Sequence, residues 1–134
     1  MTKCSKVKEL IITTHDSPGM LAEITSAISE KGVNIEGICA YAMEGKAIFY
    51  MITENNQKAK EACVAKNWPF EESDVVTVEL PDIVGAAKEM GKKLKAKNVN
   101  LKYCYGTTAD PKKGGKAKIV LRSDDNDKII DALK

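Results

Sequence analysis

Two stretches of the chain show the same change from strand-like to helix-like spacing of apolar residues. In the first stretch, Leu10 and Ile12 lie two apart, and Leu21, Ile24 and Ile28 then recur at intervals of three and four. A spacing of two indicates a strand with one buried face, whereas intervals of three and four indicate an amphipathic helix. The second stretch has its strand residues at Val76, Val78 and Leu80 and its helix residues at Ala87, Met90 and Leu94. The pattern therefore predicts a strand followed by a helix, twice.

The two stretches belong to an internal repeat with an offset of 66 residues. Asp16 falls on Asp82, Gly19 falls on Gly85, and "VNI" at residues 33–35 falls on "VNL" at residues 99–101. After the longer segment "TTADPKKGG" the offset becomes 70, so that "GKAIFYMIT" matches "GKAKIVLRS". Self-similarity of this kind indicates repeated supersecondary units. We therefore predict one domain at residues 1–73 and a second at residues 74–134.

Each repeat continues with a predicted hairpin and a short second helix. The hairpin turns near Glu44 and Gly45 in the first repeat and across residues 109–115 in the second, and the helices span residues 56–66 and 126–134. A last strand is available to the first repeat from "WPFEESDVV", whereas the second repeat lacks a clear last strand. The βαββαβ order predicts an α+β fold of two tandem ferredoxin-like repeats with antiparallel sheets.

The edges of these sheets need cover, because an open edge strand can pair with another chain. In this topology the strand that follows Asn34 lies at an edge, where two repeats could join into a larger sheet. We expect the open edge of the second repeat to be covered by the linker strand or by a second chain.

Composition indicates a soluble globular protein. Of 134 residues, 43% are hydrophobic and 30% are charged, and the net charge is +2. These values lie well away from those of disordered chains. The start of the chain has no long apolar segment of a secretory leader, and no apolar run approaches membrane-spanning length. We expect a cytoplasmic location and no membrane partner.

Residue types that carry catalysis or bind metals are sparse. The four cysteines are spread singly, and His15, the sole histidine, has Pro81 as its counterpart in the second repeat. This is neither a zinc framework nor a disulfide scaffold. The chain also has no Gly-rich phosphate loop and no Ser, His and acid set. We therefore expect no catalytic residue, no metal and no cofactor, and a protein that is not an enzyme.

The motif around the first predicted helix resembles a known family. Asp-x-Pro-Gly-x-Leu at residues 16–21, followed by Gly-Val-Asn-Ile at residues 32–35, resembles the ACT domain, a small ligand-sensing module of amino-acid metabolism. The resemblance covers essentially the whole chain as two tandem copies and implies a stand-alone regulatory protein. The second copy keeps Asp82, Gly85 and Asn100, but its Val84, Ala87 and Asn98 replace the proline, leucine and glycine of the first.

The turn before the predicted helix has the chemistry of an anion site. Pro18 suits the first helical position, and Asp16 or Ser17 can cap the free amides there. Gly19, which is unfavourable inside a first turn, would let a ligand approach those amides. A helix N-terminus favours an anion such as an α-carboxylate, and Asp16 would face the ligand's ammonium group.

The resemblance implies that an amino acid binds between two domains, at the turn of one and the asparagine of the other. Carried over to this chain, the first site combines Asp16, Ser17, Gly19 and Met20 with Asn100. Its pseudo-twofold mate combines Asp82, Ile83, Gly85 and Ala86 with Asn34.

Two other functions remain open at this point. Nine lysines between residues 92 and 118 have only Asp110 as an acid among them, and a basic ferredoxin-like sheet with exposed tyrosines can bind nucleic acid. No RNA-binding signature occurs, however, so we expect no nucleic-acid partner. A ligand-free assembly or regulatory subunit that acts on a partner enzyme through its sheet edge is the main alternative. In either regulatory role we expect a homodimer or a partner enzyme.

Overall fold

The protein has an α+β fold with six strands and four helices in the part of the chain that is described. The computed structural model describes residues 3–107 and 116–134, so the predicted hairpin loop at residues 109–115 lies outside the described residues. The strands are β1 (Lys3–His15), β2 (Ile35–Met43), β3 (Lys46–Thr53), β4 (Phe70–Pro81), β5 (Leu101–Thr107) and β6 (Lys116–Ser123). The helices are α1 (Met20–Glu30), α2 (Asn56–Lys66), α3 (Ala86–Ala96) and α4 (Asn126–Leu133).

The chain divides into two compact units. The first unit is Lys8–Ser73, and the second comprises the described residues up to Val7 together with Asp74–Lys134. The division after Ser73 lies at the predicted domain boundary. The first residues of the chain, however, group with the second unit, whereas the sequence analysis assigned them to the first domain.

The first unit has the strand order β2-β3-β1, with the start of β4 next to β1. Strand β3 pairs antiparallel with both neighbours, and Met51 lies opposite both Leu10 of β1 and Ile38 of β2. The helices α1 and α2 pack on one face, because the side chains of alternate strand residues join those of the helices in one core. That core comprises Leu10, Ile12, Met20, Ile24, Ala27, Ile28, Val33, Ala47, Phe49, Met51, Ala59, Ala62 and Cys63.

The second unit has the strand order β4-β6-β5, with the first residues of β1 on the other side of β4. Cys4 of this segment packs against the second core, and Lys6 forms an ion pair with Asp127. The N-terminal segment therefore supplies the strand that the sequence analysis did not find for this repeat. The expectation that the linker or a second chain covers this edge was wrong, because the partner strand comes from the opposite end of the chain. The core comprises Val76, Val78, Leu80, Leu94, Ala117, Leu121, Ile129 and Leu133.

The buried stripe of α1 differs by one residue from the predicted one. Leu21 is 57% exposed, whereas Met20 is 4% exposed and joins Ile24 and Ile28 in the core. The helix begins at Met20, and residues at intervals of four from Met20 share its inner face. Likewise Ala86, rather than the predicted Ala87, packs against the core from α3.

One predicted turn and the bounds of one predicted helix are confirmed. Glu44 and Gly45 both have positive φ, 52° and 78°, as a two-residue hairpin turn of this hand requires. Helix α2 has the predicted bounds, and the side chain of Asn55 accepts a hydrogen bond from the Lys58 amide at 3.1 Å. In the second unit Asp125 caps α4 in the same way, accepting from the Lys128 amide at 3.2 Å.

Candidate functional site

The turn before α1 differs from the predicted helix start. Gly19 is the N-cap residue, with φ 91° and ψ −2°, and no side chain caps the helix. Pro18 therefore lies before the helix, not at its first position, and neither Asp16 nor Ser17 acts as the cap. The reason is the left-handed conformation of Gly19, which closes a turn in which the Met20 amide donates to the Ser17 carbonyl at 3.3 Å. The first-turn amides of α1 thus have no side-chain acceptor.

The turn before α3 has the same backbone geometry. Gly85 has φ 90° and ψ −2°, and the Ala86 amide donates to the Ile83 carbonyl at 3.2 Å. The Glu23 amide of α1 donates to the Gly19 carbonyl at 3.0 Å. The Glu89 amide of α3 likewise donates to the Gly85 carbonyl at 3.0 Å. The two turns therefore present the same backbone.

The side chains of the two turns differ in character. Asp16 and Gly19 are exposed and Ser17 is partly buried, so all three are accessible from solvent. In the second turn, by contrast, Ile83 is 66% exposed and Val84 is 103% exposed. The first turn is thus polar and the second is apolar on its outer surface.

Two of the predicted ligand-binding residues contact the cores of their units. The Met20 side chain lies in the first core, and its amide is already bonded to Ser17. Ala86 is partly buried and packs against the second core. The buried Met20 side chain cannot contact a ligand, whereas Ala86 also lines a groove beside the second turn. Asp82 is partly buried.

Asn34 is exposed and precedes β2, the last strand in the order of the first unit. Its backbone is held by Glu54: the Asn34 amide donates to Glu54 Oε1 at 3.0 Å, and its carbonyl accepts from the Glu54 amide at 3.1 Å. Both hydrogen bonds use the backbone of Asn34 and not its side chain. Sequence reasoning missed Glu54, whose only signal is its place directly after β3.

Asn100 occupies the equivalent position before β5. It lines a groove of about 640 Å³, together with Gly91, Lys95 and Asn98. Lys95, which the sequence analysis did not select, adds a cation beside the asparagine. Asn98 has φ 56° at the position where the first unit has Gly32 with φ 74°, which fits asparagine's tolerance of the left-handed region.

The structure brings the predicted residues together only in part. Asp16, Ser17 and Gly19 share one turn, and Asp82, Ile83 and Gly85 share another. Asn34 lies in the first unit and Asn100 in the second. The pairing of each turn with the asparagine of the other repeat stays a prediction. Strand β2 pairs with β3 and β5 pairs with β6, so each has one edge without a strand in the described part of its own unit.

Burial and hydrogen bonding shift the pKa of several groups in the described part of the chain. Burial raises the pKa of the Cys63 thiol to about 11. The pKa of Glu72 is lowered, first by a hydrogen bond from Lys60 and then by one from Asn56. The described residues contain no cluster of His, Cys, Asp or Glu that could hold a metal ion. No helix within residues 3–107 and 116–134 is long and apolar enough to cross a membrane.

Comparison with known families gives a match within the first unit. Residues 8–62 match the ACT domain. The match spans α1, its preceding turn and Asn34, which is the part of the chain where the motif was found. A search of curated proteins finds no match.

Solved structures resemble the chain over nearly its whole length. A protein from Bacteroides thetaiotaomicron is 25% identical, with a TM-score of 0.87 over 97% of this chain and 88% of its own. The regulatory subunit of aspartate kinase from Thermus thermophilus is 14% identical, with a TM-score of 0.65 over 98% of this chain and 93% of its own. The regulatory subunit of aspartate kinase from Thermus flavus is 13% identical, with a TM-score of 0.64 over 98% of this chain and 94% of its own. At this identity the two subunits show the fold alone.

Proposed function

We propose that the chain is a tandem pair of ACT-like units that senses a free amino acid and regulates a partner. The observation that carries this proposal is the pair of turns at Gly19 and Gly85. Each has a left-handed glycine as N-cap and no side-chain cap, and the first lies within the ACT match. The whole-chain similarity to regulatory subunits of aspartate kinase supports a tandem regulatory protein.

The first turn offers the better chemistry for an amino acid. The uncapped amides at the start of α1 would hold an α-carboxylate, because a helix N-terminus favours negative charge. The exposed carboxylate of Asp16 would hold the ammonium group, and Ser17 would donate or accept a further hydrogen bond. Asn100 of a paired repeat, beside Lys95, would complete the site across the interface. Met20 contributes no side chain to it.

The second turn suits a weaker ligand site or none. Its exposed Ile83 side chain replaces the hydroxyl-bearing Ser17 of the first turn, and the exposed Val84 replaces Pro18. Asp82, Gly85 and Asn34 would hold an amino acid there by the same logic. The exposed apolar residues favour the second candidate function for this turn, contact with a protein rather than with a ligand.

The proposal also covers how the chain would contact a partner and where it would act. The unpaired edges of β2 and β5 would pair with a second copy or a partner enzyme, since exposed edge strands are templates for pairing. The chain itself would have no catalytic activity, and it would act in the cytoplasm, where free amino acids signal metabolic supply. Binding would regulate only if the ligand prefers one arrangement of the repeats.

A thermal-shift screen of the purified protein against the twenty amino acids tests this proposal. A ligand that binds only the native state raises the unfolding temperature by mass action. We expect one amino acid, or a small group of related ones, to raise it in a concentration-dependent way. A flat panel at millimolar concentrations would refute ligand sensing and leave the ligand-free regulatory subunit.

A further inference from the structure

The groove beside Asn100 lies within the second unit and carries a positive charge. It has a volume of about 640 Å³, and its polar side chains are those of Lys95, Asn98 and Asn100. Gly91 and three apolar residues form the rest of its described lining. No acid is among the described residues that line it. The groove therefore offers one cation and two neutral amides to a ligand.

Lys95 is the charged group of this groove. It is exposed on α3 and forms no ion pair with another described residue, whereas the neighbouring Lys92 and Lys97 each pair with an acid. An ammonium group without an acid beside it leaves its charge uncompensated. Such a group attracts an anionic part of a ligand.

Backbone carbonyls at the end of α3 are already hydrogen-bonded beside this groove. The carbonyl of Leu94 accepts from the Val99 amide at 3.0 Å, and the carbonyl of Lys95 accepts from the Asn98 amide at 2.9 Å. Free carbonyls at a helix C-terminus carry the partial negative charge that disfavours an anion. These two carbonyls are satisfied within the backbone, so they repel an anion less than free acceptors would.

The corresponding position in the first unit has a different character. At the repeat offset of 66 residues, Ser29 stands where the second unit has Lys95. The backbone of Asn34 is contacted by an acid, because Glu54 Oε1 accepts from its amide at 3.0 Å. The two asparagines thus differ in surroundings, with a carboxylate next to Asn34 and a cation next to Asn100. The charge that can select a ligand is specific to the second unit.

We propose that Lys95 makes the ligand site at Asn100 selective for an amino acid with an acidic side chain, aspartate or glutamate. This inference rests on the proposed function, in which Asn100 contacts the bound amino acid. The first turn there holds the α-carboxylate and Asp16 holds the ammonium group, so the side chain is the ligand group left for the groove. Its carboxylate accepts hydrogen bonds from Lys95 Nζ and from the side-chain amide of Asn100. The selectivity depends on groups of the second unit alone.

Two pairs of amino acids of nearly equal size isolate the effect of charge. Aspartate carries a carboxylate where asparagine carries an amide, and glutamate differs from glutamine in the same way. Calorimetric titration of the full chain would measure all four affinities for the wild type, Lys95→Gln and Lys88→Gln. Lys88 is exposed on the same helix but does not line this groove, so its variant controls for a general loss of positive charge. Circular dichroism would check the fold of both variants.

The expected result is a charge preference that depends on one lysine. The wild type should bind at least one of the two acidic amino acids about tenfold or more tightly than the matching amide. Lys95→Gln should remove this preference without weakening the amide, because only the carboxylate loses its cation. Lys88→Gln should keep the preference.

Four outcomes would overturn the inference. A preference for acidic side chains that survives in Lys95→Gln would do so, as would its equal loss in Lys88→Gln. Equal weakening of aspartate and asparagine in Lys95→Gln would show that this lysine holds the α-carboxylate instead. A neutral or basic amino acid as the tightest ligand would overturn the acidic class and leave amino-acid sensing intact. No binding by any of the twenty amino acids, in contrast, would contradict sensing itself and this inference with it.

Discussion

Asn126 makes in the second unit the contact that Asn56 makes in the first. Asn56 Nδ2 donates to the Lys8 carbonyl at 3.0 Å, and Asn126 Nδ2 donates to the Asp74 carbonyl at 2.8 Å. Each asparagine also accepts a hydrogen bond at Oδ1 from the end of the preceding strand, from the Thr53 hydroxyl or the Ser123 amide. The first residue of each second helix therefore ties that helix to the first strand of its unit.

We expect Asn56→Ala and Asn126→Ala both to destabilise the protein, and Asn56→Ala to do so more, because Asn56 also donates to Glu72 Oε2 at 3.0 Å. Each change removes an exposed hydrogen bond to a strand carbonyl, which costs about 0.5–1.5 kcal/mol of unfolding free energy. Gln57→Ala, next to Asn56 and exposed, is the control and should change the free energy little. Urea unfolding measures all three. A neutral Asn126→Ala beside a costly Asn56→Ala would show that the two contacts are not equivalent.

Much of this repeat geometry could be predicted from the sequence, and some could not. The bounds of α2 and the turn at Glu44 and Gly45 follow from local signals, namely cap residues and a turn glycine. The helix start at Met20 was missed, because sequence alone does not distinguish a left-handed N-cap glycine from one inside the first turn. The strand contributed by residues 3–7 was missed for another reason, since its pairing joins distant parts of the chain.

The residues of the candidate site could likewise be predicted from the sequence only in part. Asp16, Gly19 and Asn34 could be selected because the motif is local. Glu54 could not, because its clamp on the Asn34 backbone depends on a contact across 20 residues. Exposure of Ile83 and Val84 likewise needed the structure, since apolar residues in a sequence are expected to be buried.

Gly19→Ala should destabilise the protein, whereas Gly91→Ala should stabilise it. An added Cβ meets nothing within 4 Å at either position, so the two differ in backbone conformation alone. Gly19 has φ 91°, where an L-residue costs about 1–2 kcal/mol. Gly91 lies inside α3, where alanine gains up to about 1 kcal/mol. Equal effects in thermal unfolding would contradict the left-handed turn.

Cys104 should react with thiol reagents in the native state, and Cys63 should not. Cys104 is exposed on β5, whereas Cys63 is fully buried and its pKa is raised to about 11. At pH 8 roughly one Cys63 thiol in a thousand would be ionised even if a reagent could reach it. Iodoacetamide labelling followed by peptide mass spectrometry measures this. Labelling of Cys63 before unfolding would contradict the described core.

Glu72→Gln should reduce stability at neutral pH and lose that effect in acid. The pKa of Glu72 lies below its ordinary value of 4.5, because Lys60 and Asn56 hydrogen-bond to the carboxylate. A lowered folded pKa means that the carboxylate stabilises the protein above its unfolded pKa, and that this contribution is lost as pH falls through the folded pKa. Urea unfolding at pH 7, 5 and 3 should show the difference from wild type shrinking. The neighbouring Glu71→Gln, whose side chain has no ion pair in the described chain, is the control.

The most direct test of amino-acid sensing is calorimetric titration with the amino acid that gives the largest thermal shift. Wild type, Asp16→Ala and Asn34→Ala would be compared, because Asp16 belongs to the polar first turn and Asn34 to the apolar second site. We predict saturable binding to the wild type and at least about a tenfold weaker affinity in Asp16→Ala, from loss of the charged partner of the ammonium group. Asn34→Ala should bind like the wild type if the first site is dominant. Saturable binding with the same affinity in Asp16→Ala would contradict the first-turn site, and no heat with any amino acid would contradict sensing itself.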